Sequence, residues 1–212
     1  RYNAVKLFDL AEGKERLLSD FRTSMPGLPH WAENDQKVYM FNRGKLEVFD
    51  SGKQASGLHK AAAAQPIYFL KDDHLAVGNL KTNTYRVFEA TANKRCLNAT
   101  LSPDGSKIAF EMLGGNLHVM NTDGSGLVDL GPGHRPQWSP DNRHLVCMIT
   151  EDNGYEYLSS DLYIIGIDGK DRTNITNTTG DLEMNPSWSP DGNKIVFDVL
   201  DEGAIYMMEV SQ

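Results

Sequence analysis

Three groups of residues in this chain have types and spacing that could do chemistry. The first is a recurring position. Gln65, Arg135 and Asn185 each stand immediately before a proline, and Asn98 fills the matching place before Ala99. Leu28, before Pro29, fills it in apolar form. Arg135 carries the fixed positive charge at this position, and a guanidinium can grip a carboxylate with paired hydrogen bonds. An acidic peptide end or another small anionic group is the ligand feature this predicts. The second group is six histidines: His30, His59, His74, His118, His134 and His144. His30, His59 and His134 lie close to the recurring position, but no pair has metal-ligand spacing. Hydrogen-bonded imidazoles explain them without a metal. The third group is a stretch from 150 to 160, predicted as a long loop, in which Tyr155 and Tyr157 stand among acidic residues. Tyrosine is enriched where proteins recognise one another. Solvated loops are polar in any case, so polarity alone does not make a site.

The elements that must position these residues come from a repeat. Leu101-Ser102-Pro103-Asp104-Gly105 returns as Trp138-Ser139-Pro140-Asp141-Asn142 and as Trp188-Ser189-Pro190-Asp191-Gly192. Worn copies start at Trp31 and Tyr68, which sets the anchors 37, 33, 37 and 50 residues apart. Proline fixes φ early in the turn, and Gly or Asn tolerates positive φ at its end. A β-type run lies on either side, so each copy predicts a hairpin of strands A and B. Its turns fall at Asn34-Asp35, Asp72-Asp73, Asp104-Gly105, Asp141-Asn142 and Asp191-Gly192. A third run follows each hairpin, as in Leu117-His118-Val119-Met120, and a shorter fourth run follows that. Pro66, Pro136 and Pro186 are expected at the first residue of strand A, where no ladder donor is needed. Trp138 and Trp188 are expected to pack between neighbouring sheets.

Four antiparallel strands repeated at about 40 residues predict an all-β propeller. The chain holds six C strands but only five A–B hairpins. It therefore predicts five to six blades spanning 1–212, with incomplete blades at both ends: residues 1–20 are expected beside 184–212, closing the ring, the alternative being a fragment of a larger propeller or protein.

The quoted turns, with the Lys107-Ile108-Ala109-Phe110 and Lys194-Ile195-Val196-Phe197 strands, resemble the repeat of the TolB-like β-propeller family. The resemblance covers nearly the whole chain. It implies a non-catalytic binding module of the periplasm or cell envelope, with a protein or peptide partner. Similar blades occur in propellers of prolyl and dipeptidyl peptidase relatives and in oligogalacturonate lyases. Two alternatives therefore stay open: an accessory domain that gates a peptidase, and a metal-dependent sugar lyase with a histidine-based site.

Composition narrows the classes further. A net charge of −8 argues against a nucleic-acid partner. No apolar stretch approaches the ~20 residues of a membrane span. There is no Gly-x-Ser-x-Gly elbow, no His-Glu-x-x-His and no phosphate loop, so no catalytic residue, metal or cofactor is assigned. Cys96 and Cys147 form no disulfide framework, and Cys147, in a B strand, is expected to be a buried thiol.

Overall fold

The computed structural model describes residues 6–9, 13–18, 30–32, 37–42, 45–50, 66–79, 82 and 84–210. The predicted turn at Asn34-Asp35 and the site residue Gln65 lie outside them, as do Leu28 and His59.

The described residues form six antiparallel sheets. β1 (Lys6–Asp9) pairs with β2 (Lys14–Leu17). β3 (His30–Ala32), β4 (Lys37–Asn42) and β5 (Lys45–Asp50) form a three-stranded sheet, as do β6 (Ile67–Lys71), β7 (His74–Asn79) and β8 (Thr84–Val87). Two four-stranded sheets follow. One holds β9 (Cys96–Leu101), β10 (Lys107–Met112), β11 (Asn116–Asn121) and β12 (Val128–Pro132). The other holds β13 (His134–Trp138), β14 (His144–Asp152), β15 (Tyr157–Gly166) and β16 (Thr173–Asn174). β17 (Glu183–Trp188), β18 (Lys194–Val199) and β19 (Ala204–Glu209) close the series with three strands. Each sheet runs in chain order, as propeller blades do. The described residues contain no α-helix, only a 3-10 turn at Glu89–Thr91, and no helix long and apolar enough to cross a membrane.

By compactness the chain divides into two units. One comprises Arg1–Asp72 and Ala76–Val87, and the other comprises Asp73–Leu75 and Phe88–Gln212. In the first unit the β4–β5 hairpin runs in unbroken register from Lys37↔Asp50 to Asn42↔Lys45, and Val38 is buried against Leu18 and Phe49. The sheet of β6 to β8 lacks the predicted fourth strand. After β8 the chain buries Phe88, whose N–H donates to Leu75 O at 3.0 Å. It then turns through Glu89–Thr91 directly into β9.

In the second unit the Ser-Pro-Asp-Gly turn shows why those residues recur. Ser102 Oγ donates to Asp104 Oδ1 at 2.7 Å and accepts from Lys107 N–H at 2.9 Å. Asp104 Oδ1 also accepts from Ser106 N–H, and Gly105 takes φ +72°. Ser139 and Asp141 repeat the pattern, and so do Ser189 and Asp191. The hydroxyl and carboxylate thus satisfy backbone donors that the turn would leave unpaired. Hydrogen bonds from Ser102 and Ser106 hold the Asp104 carboxyl below its ordinary range, and those from Ser189 and Asn193 do the same for Asp191. Ser139 is buried. Ser139→Ala strands the His144 N–H and should lower unfolding free energy by about 1–3 kcal/mol in urea titration.

The second unit's core lies between sheets. Ala109, Leu117, Val119 and Leu130 pack against Trp138, Leu145, Cys147 and Ile165. Trp138 carries its indole N–H across to Thr100 O at 3.1 Å. A second cluster joins Met148 and Leu162 to Met184, with Phe197 beside it. Trp188 differs from expectation: it is only half-buried, and its indole nitrogen is enclosed without an acceptor among the described residues. Cys147 is the buried thiol expected, and burial pushes its pKa up to about 12. Burial raises the Cys96 thiol too. Neither is a ready thiolate nucleophile.

Candidate functional site

The recurring pre-proline position turns out to be a bulge in strand A. Register slips between Leu97 and Thr100 opposite β10, between His134 and Gln137, and between Met184 and Ser187. The residue that absorbs each slip takes positive φ: Asn98 at 48°, Arg135 at 53° and Asn185 at 51°. Pro136 and Pro186 therefore sit inside their strands, at the bulge, and not at the first residue as expected. The bulge removes the ladder hydrogen bond that proline cannot make. It also turns Asn98, Arg135 and Asn185 outward, and all three are exposed.

Asparagine tolerates left-handed backbone better than most L-residues, because its short amide can bond locally. Asn98 Nδ2 donates to Glu111 Oε1 at 2.5 Å, and Asn185 Nδ2 donates to Asp198 Oδ1 at 2.9 Å. Glu111 and Asp198 hold the same register place in strand B, opposite Leu97 and Met184. The middle sheet breaks this pattern twice. Its bulge residue is Arg135, and the place of the acid is taken by Met148, opposite His134. The Arg135 guanidinium makes no hydrogen bond or ion pair with the described residues; only its backbone is held, donating N–H to Glu111 Oε1 at 2.6 Å.

Glu111 is the residue that sequence reasoning missed. It is buried, yet it accepts from Asn98 in its own sheet, and from Arg135 N–H and His134 Nδ1–H, the latter at 3.0 Å, in the next. Burial by itself raises its pKa, but the hydrogen bonds from His134, Arg135 and Asn98 outweigh that and hold it below the ordinary glutamate value. The bond to Glu111 raises His134, against the opposing effect of burial, and the Asp152 charge adds to the rise. The signal was present in the chain: both Lys-Ile-x-Phe strands are followed by an acid, Glu111 and Asp198, where an apolar strand would not need one.

The stretch from 150 to 160 is not a loop but the far end of a hairpin. β14 and β15 continue to Asp152↔Tyr157, leaving a short turn in which Asn153 N–H donates to Glu156 O. Asp152 and Asn153 side chains accept from Gly154, Tyr155 and Glu156 N–H groups. Alternation and cross-strand pairing, which a six-residue sibling strand also shows, simply extend further here. Because His134 pairs with Met148 and β14 runs on from there, the hairpin tip lies at the same end of the sheet as Arg135.

The structure therefore brings Asn98, His134, Arg135, Asn185, Tyr155 and Tyr157 to the strand-A starts and B–C turns of the second unit. His30 lies in β3 of the first unit, paired with Tyr39. Among the described residues no group of three or more His, Cys, Asp or Glu side chains comes together to hold a metal ion.

No protein-family model matches the chain, and no curated protein matches it in sequence. Solved structures do match. A putative TolB from Agrobacterium tumefaciens is similar at 15% identity and a TM-score of 0.60, over 97% of this chain and 84% of that one. TolB from Acinetobacter baumannii is similar at 14% identity and 0.53, over 97% of this chain and 48% of that one. An oligogalacturonate lyase in complex with manganese is similar at 16% identity and 0.66, over 97% of this chain and 68% of that one. At these identities the likeness shows the fold. The chain is an all-β propeller of antiparallel blades, and its architecture is TolB-like.

Proposed function

We propose that this chain is a non-catalytic binding module that presents the strand-A starts and B–C turns of residues 88–212 to a protein or peptide partner. The TolB-like repeat and the TolB neighbours support a place in the periplasm or cell envelope. The carrying observation is Arg135. Two equivalent bulges use asparagine, which suits positive φ and is clamped by an acid. The third holds an arginine that suits that backbone less well and leaves its guanidinium free for an outside group. Strain of this kind at a surface position is a sign of use rather than of stability. A carboxylate on the partner, or on a small anionic ligand, is the complement. Asn98 and Asn185 flank it as further hydrogen-bond donors, and Glu111, bonded to His134, anchors the Arg135 backbone beneath.

Arg135→Asn separates use from structure. It restores the residue favoured at the other bulges, so thermal stability should stay level or rise by a few tenths of a kcal/mol. Affinity for a peptide with a free terminal carboxylate, measured by calorimetry against the same peptide as its amide, should fall about tenfold. Unchanged affinity for the carboxylate peptide in Arg135→Asn would sink this reading.

A further inference from the structure

The B–C turns of the second unit share a feature that the fold does not require. Each carries a large apolar residue in water: Leu113 between β10 and β11, Tyr155 between β14 and β15 with Leu158 at the start of β15, and Leu200 and Ile205 around the β18–β19 turn. Tyr155 is 99% exposed and Ile205 is 82% exposed. Single exposed apolar residues are ordinary, but recurrence at one structural position in three successive sheets is not. These turns lie at corresponding ends of adjacent sheets. Glu111, at the end of β10, is bonded to His134 and Arg135 at the start of β13. Ser160, early in β15, donates to Glu183 O at the start of β17 at 2.5 Å.

The exposed charge within the second and third of these turns is acidic, with Arg135 standing at the same end of its sheet. Glu151, Asp152 and Glu156 are exposed around Tyr155, and Asp201 and Glu202 are exposed beside Ile205. No lysine or arginine occurs in residues 111–117, 149–161 or 199–206. An apolar partner without charge would leave these carboxylates to be desolvated unpaired, and an acidic one would be repelled. Lysine or arginine side chains would pair with the acids and could also stack on the exposed tyrosine ring. The hairpin tip is already ordered by its cross-strand and side-chain hydrogen bonds, so little freedom is lost on contact.

We propose that this end of residues 88–212 docks a protein segment in which apolar side chains alternate with lysine or arginine. The proposal rests on the binding-module reading and names the partner's chemistry, with Arg135 taking a carboxylate elsewhere on that partner.

The test uses the full chain and three labelled peptides, acetylated and amidated, followed by fluorescence anisotropy. One has three Lys-Leu-Lys-Gly repeats, one replaces lysine by glutamate, and one replaces leucine by serine. The lysine–leucine peptide should bind best of the three and weaken with salt. Its affinity should fall about tenfold in Glu151→Gln/Asp152→Asn/Glu156→Gln, in which Asn keeps the acceptor for Gly154. It should fall about as far in Tyr155→Ser/Ile205→Ser, which alters exposed side chains only. Glu89→Gln/Asp171→Asn/Glu209→Gln removes equal charge elsewhere, Glu209 lying opposite Lys194 at the far end of its sheet, and should leave binding near wild type. Equal loss in both charge variants, equal binding of the glutamate or serine peptide, or undiminished binding by Tyr155→Ser/Ile205→Ser would overturn the proposal. Arg135→Asn should still bind the lysine–leucine peptide. The earlier reading can thus fail on its carboxylate peptide while this one stands, and the reverse.

Discussion

Trp138→Ala is expected to cost about 3–5 kcal/mol of unfolding free energy, the range for deleting a buried aromatic. Trp138 is 7% exposed, and it joins the core that two sheets share. Its removal loses the ring's burial, opens a cavity beside Leu145 and Cys147, and strands Thr100 O. Those losses fall on different sheets, so the variant should unfold with the contact between the two four-stranded blades weakened. Trp188→Ala is the internal comparison. That ring is half-buried and its enclosed N–H finds no acceptor among the described residues, so its loss should be smaller by at least about 1 kcal/mol. Urea unfolding monitored by circular dichroism checks both variants. Equal losses would show that the two anchors pack alike.

Glu111→Ala should cost about 2–3 kcal/mol, because it removes the shared acceptor of Asn98, His134 and Arg135 N–H from a buried place. It also alters the pH profile. His134 has its pKa raised above 6.5 in the folded chain. Its contribution is therefore complete below pH 6.5 and is lost as pH rises through the raised value. Glu111 has its pKa lowered below 4.5, so its contribution is present above pH 4.5 and is lost as pH falls through the lowered value. The pair supports the fold best between those limits. Asp152, the other charge facing His134, acts in the same direction as Glu111. In wild type, stability should decline as pH rises above 6.5, whereas in Glu111→Gln most of that slope should vanish. An unchanged slope in Glu111→Gln would place the titrating group elsewhere. Because Glu111 also holds the backbone of Arg135, carboxylate-peptide affinity should follow the same trend with pH.

The sequence alone determined the repeat and therefore the fold. Ser-Pro-Asp-Gly turns and alternating β-runs are local signals, set by φ restriction, side-chain capping and pairing period, and they survive without knowledge of neighbours. Placement of Arg135 and Asn185 at one structural position was likewise legible, from their fixed distance to the anchor tryptophans. What the sequence could not reveal were relations across strands. The bulge depends on a register slip, which exists only between two paired strands; the pre-proline residues therefore looked like loop residues until pairing showed them at positive φ. Glu111 lies 23 residues from its partner His134 and 24 from Arg135, and only sheet packing brings them together. The residues around Tyr155 carry glycine and acids that suit a loop, yet the ladder continues through them, because cross-strand hydrogen bonds outweigh weak local preference. The missing fourth strand after β8 is likewise a matter of tertiary structure: Phe88 is buried with its N–H on Leu75 O, and the chain turns through Glu89–Thr91 into β9.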